Sequence, residues 1–174
     1  LDAWAYGCLE QAVSRGLPLT VAADESLVGE RRRERLGQSV ATVLGRQRYD
    51  GAFGLWSAFG AAEPWLSPYA VEFLLRARAA GVSVPDAPLD AALRYLTDQV
   101  GELPGNNANA DWAAHAYAQY VLAMAGRPRP GALRLIADAN EARLPTPLAR
   151  AQVAAALART GDRIRAERLF ASAL

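Results

Sequence analysis

The chain has 174 residues, 52% of them hydrophobic and 21% charged, which is enough apolar surface for one ordinary globular core, so residues 1–174 are read as a single domain. With 19 basic and 18 acidic residues the net charge is +1, which offers no general field to nucleic acid or to an anionic membrane. One Cys and one His exclude an internal disulfide and a Cys/His metal cluster of the usual ligand number, and no cofactor is expected.

Apolar residues recur with helical spacing almost everywhere, and the punctuation between them is that of helix caps rather than hairpin turns. In chain order the spacing predicts a helix over 8–16 and a second over 28–45, where "GERRRERLG" is a solvated charge run in which Glu30 and Glu34 pair with nearby Arg. Residues 45–65, "GRQRYDGAFGLWSAFGAAEPW", break the period with glycines at 45, 51, 54 and 60 and aromatics Tyr49, Phe53, Trp56, Phe59 and Trp65. They read as a long ordered loop or irregular ribbon whose aromatics pack it together.

A third helix over 68–80 follows an expected Ser67 N-cap and Pro68, buries Val71, Leu74 and Leu75, and stops at Gly81. A fourth over 88–101 turns Leu89, Leu93 and Leu96 inward. The polar linker "GELPGNNANAD" places Asp111 as a cap for a fifth helix over 110–125, with Tyr117, Tyr120, Val121 and Met124 on its core face and His115 a partly buried helix histidine. Helices over 130–141, 147–160 and 162–173 follow, the seventh capped by Thr146-Pro147, with Gly126 and Gly161 as C-terminal stops. The expectation is an all-α chain of helical hairpins; periodicity does not choose among an α/α barrel, a solenoid and a bundle.

The sequence begins at Leu1 rather than Met, lacks a basic-plus-apolar leader and has no apolar run long enough to span a bilayer, so it reads as a piece of something longer that carries no targeting information of its own.

Chemistry concentrates in "YGCLEQ", residues 6–11. In the first turn of a helix, Cys8 and Gln11 share a face, and the sulfur reaches the side-chain carbonyl. If the thiolate displaces the amide nitrogen as ammonia, an internal thioester results, which survives only where water is kept away. Trp4, Tyr6 and the aromatics of the ribbon are the candidate dry cover. Gly7 permits close approach, and Glu10 suits a helix N-terminus. Taken alone, a Cys with a Gln three residues on is more often core plus surface polar group.

The wider pattern is more specific. "YGCLEQ" resembles the thioester motif of the bacterial α2-macroglobulin family, relatives of the complement-type thioester proteins. "QRYDGAFGLW" is similar to that family's Gln-x-x-Asp-Gly-x-Phe segment, "EPWLSPYAVEFLLRARAAGVSVP" to its Trp-Leu-Thr-x-Tyr helix, and "AYAQYVLAMAG" to a later helix. The four segments occur in order and cover residues 4 to 126.

The resemblance implies the thioester-containing domain of a large protease inhibitor, an α/α toroid of helical hairpins, with a complete or an incomplete ring. Cleavage of a bait region elsewhere exposes the thioester, a protease lysine attacks it, and the protease is covalently tethered. Cys8 is then the thiol partner and Gln11 the acyl donor, while Trp4, Tyr6, Gly7, Leu9, Glu10, Asp50, Phe53, Trp56 and Trp65 belong to the motif or its shield. The trap acts once and is not a turnover enzyme. The resemblance further implies a periplasmic or envelope setting, other domains of a parent protein as partners, and a peptidoglycan-synthesis partner, with no nucleic acid and no direct membrane insertion.

Trp4 stands where bacterial motifs commonly have tyrosine, and no His occurs in residues 54–64, so transfer should favour amines over hydroxyls. Every basic residue is Arg; coding bias explains this, and it also leaves no internal lysine to capture an activated acyl group. Two other functions fit the fold class. Asp50, Glu63 and Asp111 beside tryptophans would suit an α/α-barrel carbohydrate-active domain, although capping and loop hydrogen bonding is the simpler reading of these acids. The tail from Pro147 reads like a helical-repeat interaction scaffold, with Ala at helix crossings.

Overall fold

The computed structural model describes residues 7–21, 27–105 and 109–174. Within them lie α1 (Leu9–Gly16), α2 (Leu27–Leu44), α3 (Leu66–Ala79), α4 (Asp86–Gln99), α5 (Asn109–Met124), α6 (Pro130–Ala139), α7 (Pro147–Arg159) and α8 (Arg163–Ser172). The described residues contain no extended strand, only isolated antiparallel bridges pairing Gln47 with Phe53 and Gly54 with Ala62. No helix among them is long and apolar enough to cross a membrane.

The C-terminal stops are those the sequence marks. Gly81, Gly126 and Gly161 sit at φ 84°, 73° and 84°, and the next N–H in each case reaches back to a carbonyl five residues earlier: Val82 to Ala77 at 3.1 Å, Arg127 to Leu122 at 2.8 Å, Asp162 to Leu157 at 3.1 Å. Thr146 caps α7 by accepting the Ala149 N–H at 3.1 Å.

Two expected caps are corrected. α3 begins at Leu66, so Ser67 lies inside its first turn, fully buried, with its hydroxyl donating to the Glu63 carbonyl at 3.1 Å and accepting the Phe53 N–H at 3.2 Å. Asp111 is likewise inside the first turn of α5, where its charge still suits the helix dipole. Short 3₁₀ helices occupy Leu17–Thr20, beyond the end of the first predicted helix, and Glu141–Arg143, at the end of the sixth. Leu75, Tyr120 and Met124 are half-buried rather than core.

The chain divides into two compact units, Leu1–Tyr95 and Leu96–Leu174. In the first, α1 packs on α2 and α3. Leu9, Val13, Leu36, Val43, Phe73 and Leu74 are essentially sealed from solvent. The α1–α3 crossing is tight because Gly16 leaves room for Phe73, whose ring carbon lies 2.4 Å from where a Cβ would stand. In the second unit α7 packs on α5, α6 and α8, and Trp112, Leu133, Ile136, Val153, Leu157 and Leu169 share a core with Ala149, Ala154 and Ala156. Those alanines let the helix backbones approach closely.

Candidate functional site

The site forms at the N-terminus of α1. Leu9 and Val13 are fully buried and seat the helix on the first unit's core. That seating turns Cys8, the N-cap residue, inward at 9% exposure while Gln11 faces solvent. The two residues meet in a capping box. The Cys8 backbone N–H donates to Gln11 Oε1 at 3.2 Å, and the Gln11 backbone N–H points back at the Cys8 side chain. The sulfur end is the looser half and makes no full cap hydrogen bond. Glu10 lies exposed in the first turn, favourably placed for the helix dipole.

Gly7 is required by this arrangement. A Cβ at position 7 would stand 2.9 Å from Gln11 Oε1 and 3.4 Å from Gln11 Cβ. The close approach that a glycine allows here is that of the Gln11 carboxamide.

The ribbon is docked on the same end of α1: the Leu9 N–H donates to the Leu55 carbonyl at 2.8 Å, and the Arg46 guanidinium donates to the Gly7 carbonyl. Its motif residues take structural parts. Gln47 Nε2 reaches the Pro88 carbonyl at 2.8 Å, tying the ribbon to α4. Asp50 accepts the Ala52 N–H at 3.1 Å and three bonds from Arg48 at 3.2 Å. Burial pushes its carboxyl upward, but the Arg48 and Ala52 bonds outweigh that and hold it below the ordinary carboxylate range. Asp50 is thereby occupied in loop hydrogen bonding. Gly51, at φ 91°, has the Ala91 carbonyl oxygen 2.3 Å from where a Cβ would be. Phe53 is fully buried.

The aromatic cover is not formed by the described residues. Tyr49, Trp56 and Phe59 are 95%, 68% and 97% exposed, and Gln11 itself is open. The physical reason is that the ribbon is narrow: it satisfies its backbone through the bridges and through Ser67, and of its aromatics turns only Phe53, beside Ala52, into the core. Trp65 is partly exposed and stacks at a tilt on Tyr69, 5.4 Å between ring centroids. Trp4 and Tyr6 lie outside the described residues.

His115 lies in the second unit, 5% exposed, with its ring 6.0 Å from that of Trp112 and its Nε2 3.3 Å from Gln119 Nε2. Burial first, and Arg129 second, lower its pKa to about 4. It is the buried helix histidine the sequence indicates, more deeply placed than expected. No group of three or more His, Cys, Asp or Glu side chains among the described residues could hold a metal ion.

No family model matches the sequence. Individual relatives do. The α2-macroglobulin of Escherichia coli K12 is 36% identical over 100% of this chain and 11% of its own length. The native conformation of E. coli α2-macroglobulin superposes with a TM-score of 0.88 at 31% identity, over 99% of this chain and 12% of that one. Salmonella α2-macroglobulin reacted with methylamine gives a TM-score of 0.86 at 32% identity, again over 99% and 12%. The chain thus spans about a ninth of the length of these relatives. Over its whole length it shares the sequence and the all-α fold of one segment of those proteins, and it belongs to the bacterial α2-macroglobulin family.

Proposed function

We propose that residues 1–174 are the thioester-containing domain of an α2-macroglobulin-type protease inhibitor of the bacterial envelope. The observation that carries this reading is the Cys8–Gln11 box, in which the carboxamide is already held by its oxygen over the cysteine backbone. The Cys8 sulfur attacks Gln11 Cδ, the negative charge gathers on Oε1 where the Cys8 N–H donates to it, the C–N bond breaks, and the nitrogen takes up the thiol proton and leaves as ammonia. A primary amine then attacks the same carbon, the C–S bond breaks, and the thiol returns. The methylamine-reacted Salmonella relative supports an amine as the nucleophile; on a protease it is a lysine side chain. Each Gln11 transfers once, so the domain is a trap and not a turnover enzyme.

Because Gln11 is exposed on the described residues, the dry cover that a thioester needs has to come from beyond them, and the exposed Trp56 and Trp65 are available to pack against other domains of the parent protein. Intact-mass and peptide mass spectrometry with and without methylamine tests the reading. Fresh protein should be lighter by one ammonia, with methylamine ending on Gln11, or should carry a glutamate side chain at position 11 with a free Cys8 thiol where the bond formed and hydrolysed. Cys8→Ala should retain an unmodified Gln11 and an unchanged helical fold. Methylamine capture in that variant, or an unmodified Gln11 in the native chain, refutes the mechanism.

A further inference from the structure

Arg46, which no motif marks, grips the site from behind. It follows Gly45 directly after α2, and its Nη1 donates to the Thr42 carbonyl at 2.7 Å while its Nη2 donates to the Gly7 carbonyl. Its backbone is also fixed, the N–H donating to the Val43 carbonyl at 3.0 Å and the carbonyl accepting the Gly54 N–H at 3.1 Å. The side chain is half-buried, and Nε is sealed from solvent with no hydrogen-bond partner among the described residues. Leaving a buried donor of a cation unspent is unfavourable, so the geometry is held for what the two terminal nitrogens secure.

What Nη2 secures is one end of a rigid unit. The Gly7 carbonyl and the Cys8 N–H belong to the same planar peptide, so fixing the oxygen fixes the direction of the N–H. That N–H is the donor on Gln11 Oε1. Donation into the carbonyl also polarises the peptide and strengthens its N–H as a donor. Arg suits the position for two reasons: its fork bridges the last turn of α2 and the entry to α1 together, and a guanidinium stays protonated and does not attack an acyl group.

We propose that Arg46 is the positioning residue of thioester formation, setting the plane of the Gly7–Cys8 peptide and through it the presentation of Gln11 Cδ to the thiol. The inference rests on the thioester reading above and adds the residue that makes the pair competent.

The test follows conversion of Gln11 by mass spectrometry in the 174-residue chain, counting thioester, hydrolysed acid and methylamide at that position together. Arg46→Gln should slow conversion by about tenfold to a hundredfold, the cost of a small misplacement of reacting groups. Arg46→Lys restores a donor for the Gly7 carbonyl and should regain conversion, which a merely structural loss of the arginine would not predict.

Conversion in Arg46→Lys to a methylamine-reactive thioester or to its hydrolysed acid supports the proposal. Arg46→Gln converting at the native rate, or Arg46→Lys as slow as Arg46→Gln with helical content intact, overturns the role of Arg46 while leaving the thioester standing. An unconverted Gln11 in the native chain overturns both.

Discussion

Substituting Gly7 by Ala separates the chemistry of this site from its fold. The new Cβ would lie 2.9 Å from Gln11 Oε1, whereas unstrained contacts begin near 3.4 Å, so the oxygen has to retreat by about half an ångström. The Cys8 N–H to Oε1 distance is already 3.2 Å, at the long end for such a bond, and that displacement breaks it. The atom that an Ala Cβ strikes is the tip of a flexible, exposed side chain that water can satisfy. The stability cost is therefore at most about 1 kcal/mol, the net worth of one hydrogen bond. The carboxamide, however, is released from the thiol, and the rate of thioester formation should fall roughly a hundredfold. Mass spectrometry of Gln11 conversion beside the thermal midpoint reads both quantities. Native-rate conversion in Gly7→Ala would refute the reasoning, because it would mean that the box does not deliver the carbonyl to sulfur.

Ser67→Ala removes the acceptor of the Phe53 N–H inside the core, and denaturant unfolding should show a loss of about 1 to 3 kcal/mol at unchanged slope. Gly51→Ala meets both a φ of 91° and the Ala91 carbonyl, so it should destabilise by about 3 kcal/mol or more, read as a lowered midpoint. His115 has an ordinary pKa of 6.5 and a folded value of about 4, so the unfolded chain binds its proton more tightly. Its contribution is complete above pH 6.5 and disappears as pH falls toward 4, where the loss totals about 3 kcal/mol. About 2 kcal/mol of that should be lost between pH 7 and pH 5, and His115→Gln should flatten the slope of unfolding free energy over that interval.

The helices were legible because their ends carry their own chemistry: a glycine able to take positive φ ends α3, α5 and α7, and a hydroxyl before proline begins α7. The same rule misplaced the start of α3, since any position of a first turn tolerates proline, and the Ser67 hydroxyl is committed to Phe53 across the ribbon. Cys8 and Gln11 were legible as a pair from their spacing. The clash that makes Gly7 necessary was not, because it depends on the rotamer of Gln11. The ribbon aromatics carry no period, so nothing in the sequence says which of them turns inward; only Phe53 does. Arg46 was invisible for a different reason, being one of 19 arginines in a chain where that residue is the only basic one.

The atom of Gln11 that caps α1 is Oε1, and the atom that departs in the proposed reaction is the nitrogen. The oxygen is common to the amide, the thioester, the hydrolysed acid and any amide formed with a captured amine, so the helix keeps its acceptor through the whole cycle. In the proposed cycle folding is thereby uncoupled from the chemical history of residue 11: a fresh molecule and a spent one offer the helix the same acceptor, and they differ in what stands where the nitrogen was, a sulfur, a charged carboxylate oxygen or the nitrogen of a captured amine.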